Sequence, residues 1–199
     1  EDVMKIFDDQ KKIAVAPCIC RTSAKKDGRG CDKPMDACFL FGSHASFYVD
    51  NGMGRYVTKE EAKEIARKNE AAALVMQPFN AQHTGGMCSC CGDCCGILRS
   101  LKKQESPAAA VKSNYYAEVD GDRCTGCETC LDRCQMEAID IVEDKAIINL
   151  NRCIGCGLCV STCPSNAMRL VKKSENQQYV PPETGMETYI RIAQERGKI

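Results

Sequence analysis

The chain has 199 residues, and 17 of them are cysteines. The chain has 27 lysine and arginine residues and 27 aspartate and glutamate residues, so its formal charge is zero. An excess of basic residues, which would indicate nucleic-acid binding, is therefore absent from the composition. Aromatic residues make up only 6% and tryptophan is absent, which argues against a fold held by apolar burial alone and predicts that a group bound to the thiols helps to stabilise it.

The first part of the chain has the patterns of mixed helices and strands. Thr58 followed by Glu61 is a capping box, which predicts that a helix begins there and continues to about Asn69. In chain order, we expect a helix over 3–12, a strand over 13–16, a loop rich in glycine, lysine and cysteine over 18–38, a helix over 58–69, a strand over 73–76 and a loop over 78–86.

A dense cysteine run over 88–95 follows, and residues 99–113 have the pattern of a helix end and a connector. From Tyr116 the chain repeats itself after 29 residues, because Cys124 and its neighbours recur from Cys153 onward. Each half predicts a loop with three cysteines, a short helix carrying the fourth, and a β-prone run, at 138–142 and 167–171. A polar tail from Lys172 ends in a predicted helix over 183–196.

Cysteine spacing decides between disulfides and metal thiolates. The count is odd, and triplets at intervals of three residues converge on a small inorganic cluster more readily than on three distant disulfide partners. No signal peptide and no apolar run of about 18 residues is visible. We therefore expect a reducing cytoplasm and no membrane span. The chain begins with Glu1 rather than Met, which leaves open whether residues precede it.

The repeated half resembles the bacterial dicluster ferredoxins over about residues 117–172. The resemblance rests on two motifs, Cys124-x2-Cys127-x2-Cys130-x3-Cys134 and Cys153-x2-Cys156-x2-Cys159-x3-Cys163-Pro164. It implies two [4Fe–4S] clusters with crossed ligands, since the fourth cysteine of each motif serves the other cluster. One cluster then takes Cys124, Cys127, Cys130 and Cys163, and the other takes Cys153, Cys156, Cys159 and Cys134.

Two alternatives are weaker. Zinc would need only two cysteine pairs, which two complete triplets with fourth partners exceed. Clusters that only stabilise the fold are the second alternative, although two clusters in one small unit more naturally pass single electrons.

The sequence departs from the repeat at Gln135, which stands where the second half has Pro164. Proline fixes φ and removes a backbone donor, so its replacement by glutamine affects the rigidity of this loop and the reduction potential of the cluster that the loop binds.

Nine further cysteines precede the repeat, and among them Cys88, Cys91 and Cys94 form a third triplet. We expect this triplet to take a fourth ligand from Cys18, Cys20, Cys31 or Cys38, giving one [4Fe–4S] cluster. The remaining five suffice for a second cluster, with zinc or a free dithiol as the alternative. This arrangement is similar to 4Fe-4S dicluster-domain proteins of anaerobes, which implies redox work beside larger oxidoreductase subunits.

The predicted fold class is α+β, with a ferredoxin-like dicluster domain and an N-terminal cysteine-rich α+β domain. We place the domain limits at 1–100 for the cysteine-rich iron–sulfur domain, 101–115 for a connector, 116–172 for the ferredoxin-like domain and 173–199 for the tail. In the tail, Met186, Tyr189, Ile190 and Ala193 form an apolar stripe. The stripe either packs on the chain's own domains or docks on a partner oxidoreductase or a second copy of this chain.

The predicted function is relay of single electrons through three or four [4Fe–4S] clusters between partner oxidoreductases. No glycine-rich dinucleotide fingerprint follows a strand, and no catalytic triad or carboxylate pair is evident, so catalytic residues are not assigned. The alternatives are an oxidoreductase with a substrate-accessible cluster in the N-terminal domain and a cluster-based redox sensor.

Overall fold

Helices and strands alternate through the first ninety residues, and four short strands frame the repeated cysteine loops. The computed structural model describes residues 3–199. The helices are α1 Val3–Asp8, α2 Ile19–Lys26, α3 Gly42–Asp50, α4 Lys59–Ala71, α5 Gly96–Lys102, α6 Pro107–Ala110, α7 Thr129–Arg133 and α8 Gly185–Glu195. The strands are β1 Ile13–Pro17, β2 Asp36–Phe41, β3 Arg55–Val57, β4 Val75–Pro78, β5 Gly86–Cys90, β6 Tyr115–Val119, β7 Ile139–Val142, β8 Lys145–Ile148 and β9 Met168–Lys172.

The chain divides into two units. The first unit contains residues 3–72, Met76–Cys90 and Val180–Ile199, and the second contains Ala73–Val75 and Cys91–Tyr179. The dense cysteine run thus divides after Cys90, and the tail belongs with the first unit. Both features differ from the domain limits placed on the sequence.

The first unit is built on a five-stranded sheet with the order β3-β1-β2-β5-β4. β1 pairs antiparallel with β2 and β3, and β2 pairs antiparallel with β5. Successive side chains of a strand point to opposite faces, so each face carries its own core. Phe7 of α1 packs edge-on against Phe39, 5.0 Å between ring centroids, in the core that α1 and α4 cover. On the other face, Ala14 and Leu40 pack against Ala45 of α3.

Several predicted elements are confirmed. β1 covers the predicted strand, and α4 begins at its Thr58 cap, whose hydroxyl accepts from the Glu61 N–H at 3.1 Å. The Glu61 carboxylate does not complete the capping box, because it binds the Arg55 guanidinium at 2.5 Å. The first helix ends at Asp8, four residues earlier than predicted.

The predicted loop over 18–38 is wrong, because it contains α2 and the start of β2. Gly28, with φ +70°, follows the end of α2. The sequence pattern did not predict this short helix, because glycines and cysteines flank it. The strand predicted over 73–76 begins only at Val75, since Ala73 has φ +58°. Within the dense run, the sequence analysis also missed β5.

The second unit shows the internal repeat as structure. β6 pairs with β9 and β7 with β8, both antiparallel, and a shift of 29 residues carries the first residue of β7 to that of β9. The predicted helix for the fourth cysteine is wrong in both halves. α7 carries the third cysteine, Cys130, and ends before Cys134, while the corresponding residues 158–162 form turns.

The tail is held to its own unit by backbone hydrogen bonds. The N–H of Gln82 donates to Pro182 O at 2.8 Å, and that of His83 donates to Glu183 O at 3.0 Å. α8 nevertheless leaves Met186 and Tyr189 about 70% exposed. Among residues 3–199, no helix has the length and apolar character needed to cross a membrane.

Candidate metal centres

Two cavities of the second unit are lined by the repeated cysteines. The first, which we call the Cys124 cavity, is lined by Cys124, Cys127, Cys130 and Cys163. The second, the Cys153 cavity, is lined by Cys134, Cys153, Cys156 and Cys159. In each cavity a triplet from one half meets the fourth cysteine of the other half. The structure therefore brings together the same two quartets that the ferredoxin resemblance implies.

Glycine in each triplet allows the loop to turn closely around its cavity. Gly126 and Gly155 have φ of +65° and +66°. A Cβ at Gly126 would lie 2.5 Å from the carbonyl oxygen of Asp144, and a Cβ at Gly155 would lie 2.1 Å from that of Tyr115. Both the left-handed backbone and the close approach require glycine at these positions.

Backbone N–H groups point at the cysteine sulfurs in a pattern that follows the repeat. The N–H of Ala146 donates to Cys124 Sγ at 3.4 Å, and the N–H of Ala117 donates to Cys153 Sγ at 3.3 Å. The fourth cysteines accept in the same way. Ala138 donates to Cys134 Sγ at 3.2 Å, and Ala167 donates to Cys163 Sγ at 3.3 Å. Such donors stabilise negative charge on sulfur.

The two cavities differ in their hydroxyl groups. In the Cys124 cavity, Thr129 Oγ1 lies 3.6 Å from Cys127 Sγ, and Ser165 Oγ lies 3.6 Å from Cys163 Sγ. The repeat places Leu158 and Met136 at the corresponding positions of the Cys153 cavity.

Thiol acidity depends on these hydroxyl groups and on burial. The side-chain and backbone hydrogen bonds of Thr129 lower the pKa of Cys127. Burial raises the pKa of the third cysteine of each triplet, Cys130 and Cys159. The hydroxyl of Thr129 thus favours charge on the Cys127 sulfur in particular.

One basic side chain lies beside each cavity. Lys145 Nζ donates to the carbonyl of Cys124 at 2.6 Å. Arg133, which is 8% exposed, lines the Cys153 cavity, and its Nε donates to the Leu158 carbonyl at 3.2 Å. Cationic groups at such short range offset the negative charge that clustered thiolates carry.

The residues of both cavities fit a [4Fe–4S] cluster. Four sulfur donors converge on each space, backbone N–H groups already point at the sulfurs, and small residues such as Ala117 and Ala146 leave the space open. Soft thiolate donors in sets of four suit iron–sulfur clusters. When bound, such a cluster supplies reversible one-electron redox chemistry.

Gln135, which departs from the repeat, has a structural partner. Its Oε1 accepts a hydrogen bond from the buried N–H of Gly92 at 2.6 Å. A side chain at Gly92 would meet Gln135, because a Cβ there would lie 3.1 Å from Gln135 Oε1. Proline could not supply this acceptor. Gln135 therefore ties the segment between Cys91 and Cys94 to the loop that carries Cys134.

Arg152 is a second residue whose role the sequence analysis missed. Its guanidinium donates to the carbonyls of Lys102, Gln104 and Met136 at 3.1, 3.0 and 2.9 Å. The residue precedes Cys153, so the end of α5 is fastened next to the second triplet. The recurrence of arginine before each triplet, at Arg123 and Arg152, was the available signal.

The first unit contains a group of thiols that we call the thiol row: Cys18, Cys38, Cys88 and Cys90. The Cys18 thiol donates to Cys38, and both Cys38 and Cys90 donate to Cys88. Because Cys88 accepts two hydrogen bonds, its pKa lies well below the usual value. The pKa of Cys18 is raised by its hydrogen bond to Cys38 and by burial.

The remaining N-terminal cysteines lie in different places. Cys20 is on α2, and Cys31 lies in the segment after that helix. The sulfurs of Cys91 and Cys94 are buried within 4.8 Å of each other in the second unit. Cys88, the first member of the predicted third triplet, is in the first unit, with Cys38 and Cys90 as its neighbours. All 17 cysteines, which lie in the described part of the chain, have free thiols.

Two protein-family models match the chain, and both are described as 4Fe-4S dicluster domains. One covers residues 123–168, which contain all eight repeated cysteines, and the other covers residues 152–196, which contain four. Comparison with curated proteins gives no match.

The chain therefore carries a dicluster ferredoxin-type domain in its C-terminal region. It is an iron–sulfur protein of mixed helix and strand with a metal-binding set of cysteines, a cysteine-rich region precedes the domain, and the domain indicates a role in electron transfer.

Proposed function

We propose that this protein relays single electrons through three or four [4Fe–4S] clusters between partner oxidoreductases. The observation that carries the proposal is the pair of cavities in the second unit, each lined by four cysteines drawn from both halves of the repeat. Two redox centres in one small unit suit transfer of electrons one at a time.

The cysteines have defined roles in this proposal. Cys124, Cys127, Cys130 and Cys163 ligate one cluster, and Cys134, Cys153, Cys156 and Cys159 ligate the other. The N–H groups of Ala117 and Ala146 stabilise charge on the ligand sulfurs. Lys145 and Arg133 offset the added negative charge on reduction.

One or two further [4Fe–4S] clusters belong to the cysteine-rich region in this proposal. The cysteines that precede the repeat suffice for two quartets and one spare. Cys91 and Cys94 support one of these clusters, because their sulfurs lie within 4.8 Å of each other and Gln135 fixes their segment. Cys31 remains a candidate ligand on sequence grounds.

The partners are redox proteins or larger oxidoreductase subunits in a reducing, anaerobic cytoplasm. A relay needs an electron donor and an electron acceptor. The sequence has no glycine-rich motif for binding a flavin or nicotinamide dinucleotide that could serve as one of them. α8 supports a docking role, because Tyr189 and Ile190 are 73% and 42% exposed on a helix that backbone hydrogen bonds already hold in place. We propose that this face contacts a partner oxidoreductase.

The relay is tested by anaerobic measurement of iron and sulfide together with EPR-monitored reduction. We expect at least about eight irons per chain in the second unit, reduced reversibly by one electron per cluster. A Cys124→Ser, Cys153→Ser double variant should lose these signals. A cluster signal that shifts when a small-molecule ligand is added would contradict a pure relay and favour an enzyme.

The docking face of α8 is tested by a Tyr189→Glu, Ile190→Glu variant. This variant should keep its iron and lose its co-purifying partner, and unchanged association would contradict docking.

A further inference from the structure

The thiol row lies where three segments of the first unit meet. Cys38 of β2 stands directly opposite Cys88 of β5 in the antiparallel pairing. The pairing of β1 with β2 is irregular between Ala16 and Pro17, and the chain then reaches Cys18, the N-cap residue of α2. Residues separated by fifty positions are therefore held side by side by strand register. Irregular pairing of this kind often re-aims side chains at functional sites.

Donor groups surround these sulfurs as they do in the second unit. The N–H of Ile19 donates to Cys38 Sγ, and the N–H of Arg21 donates to Cys18 Sγ. Both donors belong to the first turn of α2, whose free N–H groups and dipole favour negative charge. Cys20, in the same turn, lies within electrostatic range of Cys88. Four thiols from α2, β2 and β5 thus share one neighbourhood.

A buried cation completes this neighbourhood. Arg21 is 0% exposed, and its Nη2 donates to the carbonyl of Ser89, between Cys88 and Cys90, at 3.3 Å. A buried guanidinium is stabilised by negative charge nearby. Thiolates bound to a metal between α2 and β5 would place such charge next to Arg21.

We propose that Cys18, Cys20, Cys38 and Cys88 ligate a [4Fe–4S] cluster of their own in the first unit and that Arg21 is its buried counter-charge. The assignment rests on the proposed relay and extends it by naming the ligands of a third cluster. It replaces the grouping of Cys88 with Cys91 and Cys94 predicted from spacing. Cys90, which also donates to Cys88, is the fifth thiol of this neighbourhood and is not assigned as a ligand.

The test compares matched single variants of the full chain, purified anaerobically. Cys38→Ser and Cys20→Ser should each lower the iron content by about four per chain, while Cys90→Ser should keep it. Iron lost from Cys90→Ser but kept in Cys20→Ser would overturn the ligand set. Stoichiometric zinc in place of the third cluster's iron would overturn the cluster. Wild-type protein with about eight irons, all lost on removal of the second-unit cysteines, would overturn this site and leave the two-cluster relay intact.

The role of Arg21 is tested by measuring the midpoint potential of the third cluster as well as the iron content. Arg21→Met should lower the midpoint potential of the third cluster, because removal of a positive charge disfavours the reduced state. Arg21→Lys should restore part of the shift. If Arg21→Met loses the iron through misfolding, Arg21→Gln decides, because it removes the charge and keeps a hydrogen-bond donor. A lower midpoint potential in Arg21→Gln with unchanged circular dichroism would support the counter-charge role, and an unchanged potential would contradict it.

Discussion

Removal of the Thr129 hydroxyl should lower the potential of the cluster in the Cys124 cavity. Thr129 Oγ1 lies 3.6 Å from Cys127 Sγ, and Thr129→Val deletes this hydroxyl while it keeps the shape of the side chain. The backbone N–H of Thr129, which also supports the Cys127 thiolate, is retained. The reduced cluster carries one more negative charge, so it depends more on hydrogen bonds to its sulfurs than the oxidised cluster does.

The size of the shift follows from the strength of the hydrogen bond. Cys127 is exposed, so water screens part of this hydrogen bond. The midpoint potential should therefore fall by less than about 59 mV, the shift that corresponds to a tenfold change for a one-electron couple. The assay is an anaerobic potentiometric titration followed by EPR.

The repeat supplies a variant with the opposite effect. Leu158 corresponds to Thr129, so Leu158→Thr should raise the potential of the cluster in the Cys153 cavity by a similar amount. Ser174→Ala, at an exposed position outside both cavities, should change neither potential. A Thr129→Val protein with an unchanged or higher potential would refute the reasoning.

Four further predictions test the second unit. Cys163→Ala should remove the cluster of the Cys124 cavity and leave that of the Cys153 cavity, as measured by EPR and iron content, because the fourth ligands are crossed. Gly155→Ala should destabilise the unit by more than about 2 kcal/mol and speed cluster loss, since the added Cβ would lie 2.1 Å from Tyr115 O on a left-handed backbone. Gln135→Leu should leave the buried N–H of Gly92 without its acceptor, which costs about 1–3 kcal/mol and should speed its hydrogen exchange about 5- to 150-fold. Chelation of the iron should abolish the near-UV dichroism of the β6 tyrosines, because the core there is made mostly of alanines and cysteines.

Each of these predictions has a control or a contrary outcome. Loss of the Cys153-cavity cluster in Cys163→Ala would contradict crossed ligands. Gly121→Ala adds a Cβ with no atom within 4 Å, so its stability should stay within about 0.5 kcal/mol of wild type. Gln104→Leu, at an exposed glutamine, should leave the exchange of Gly92 unchanged. Near-UV dichroism that persists after complete iron removal would show that the second unit folds without its clusters.

Features that depend on short spacing could be predicted from the amino-acid sequence. Cysteines at intervals of three, repeated after 29 residues, predict two triplets, because a loop of seven residues has little freedom in where its three thiols converge. The crossed fourth ligands were implied by the resemblance to dicluster ferredoxins, and each cavity is lined by the same four cysteines. Thr58 likewise located the start of α4, since its hydroxyl caps the Glu61 N–H within one turn. These signals are local, so no knowledge of the fold was needed to read them.

The neighbours of the other cysteines could not be predicted from spacing, because they depend on how distant strands pair. Cys38 and Cys88 face each other because β2 and β5 pair in a register that the whole sheet sets, and the spacing of Cys88 with Cys91 and Cys94 carries no information about that register. The same holds for Gln135, which departs from the repeat and whose partner Gly92 lies 43 residues away. Long-range pairing is fixed by the packing of complementary surfaces, and for that reason the sequence could predict the ligands of a motif but not the neighbours of a sheet.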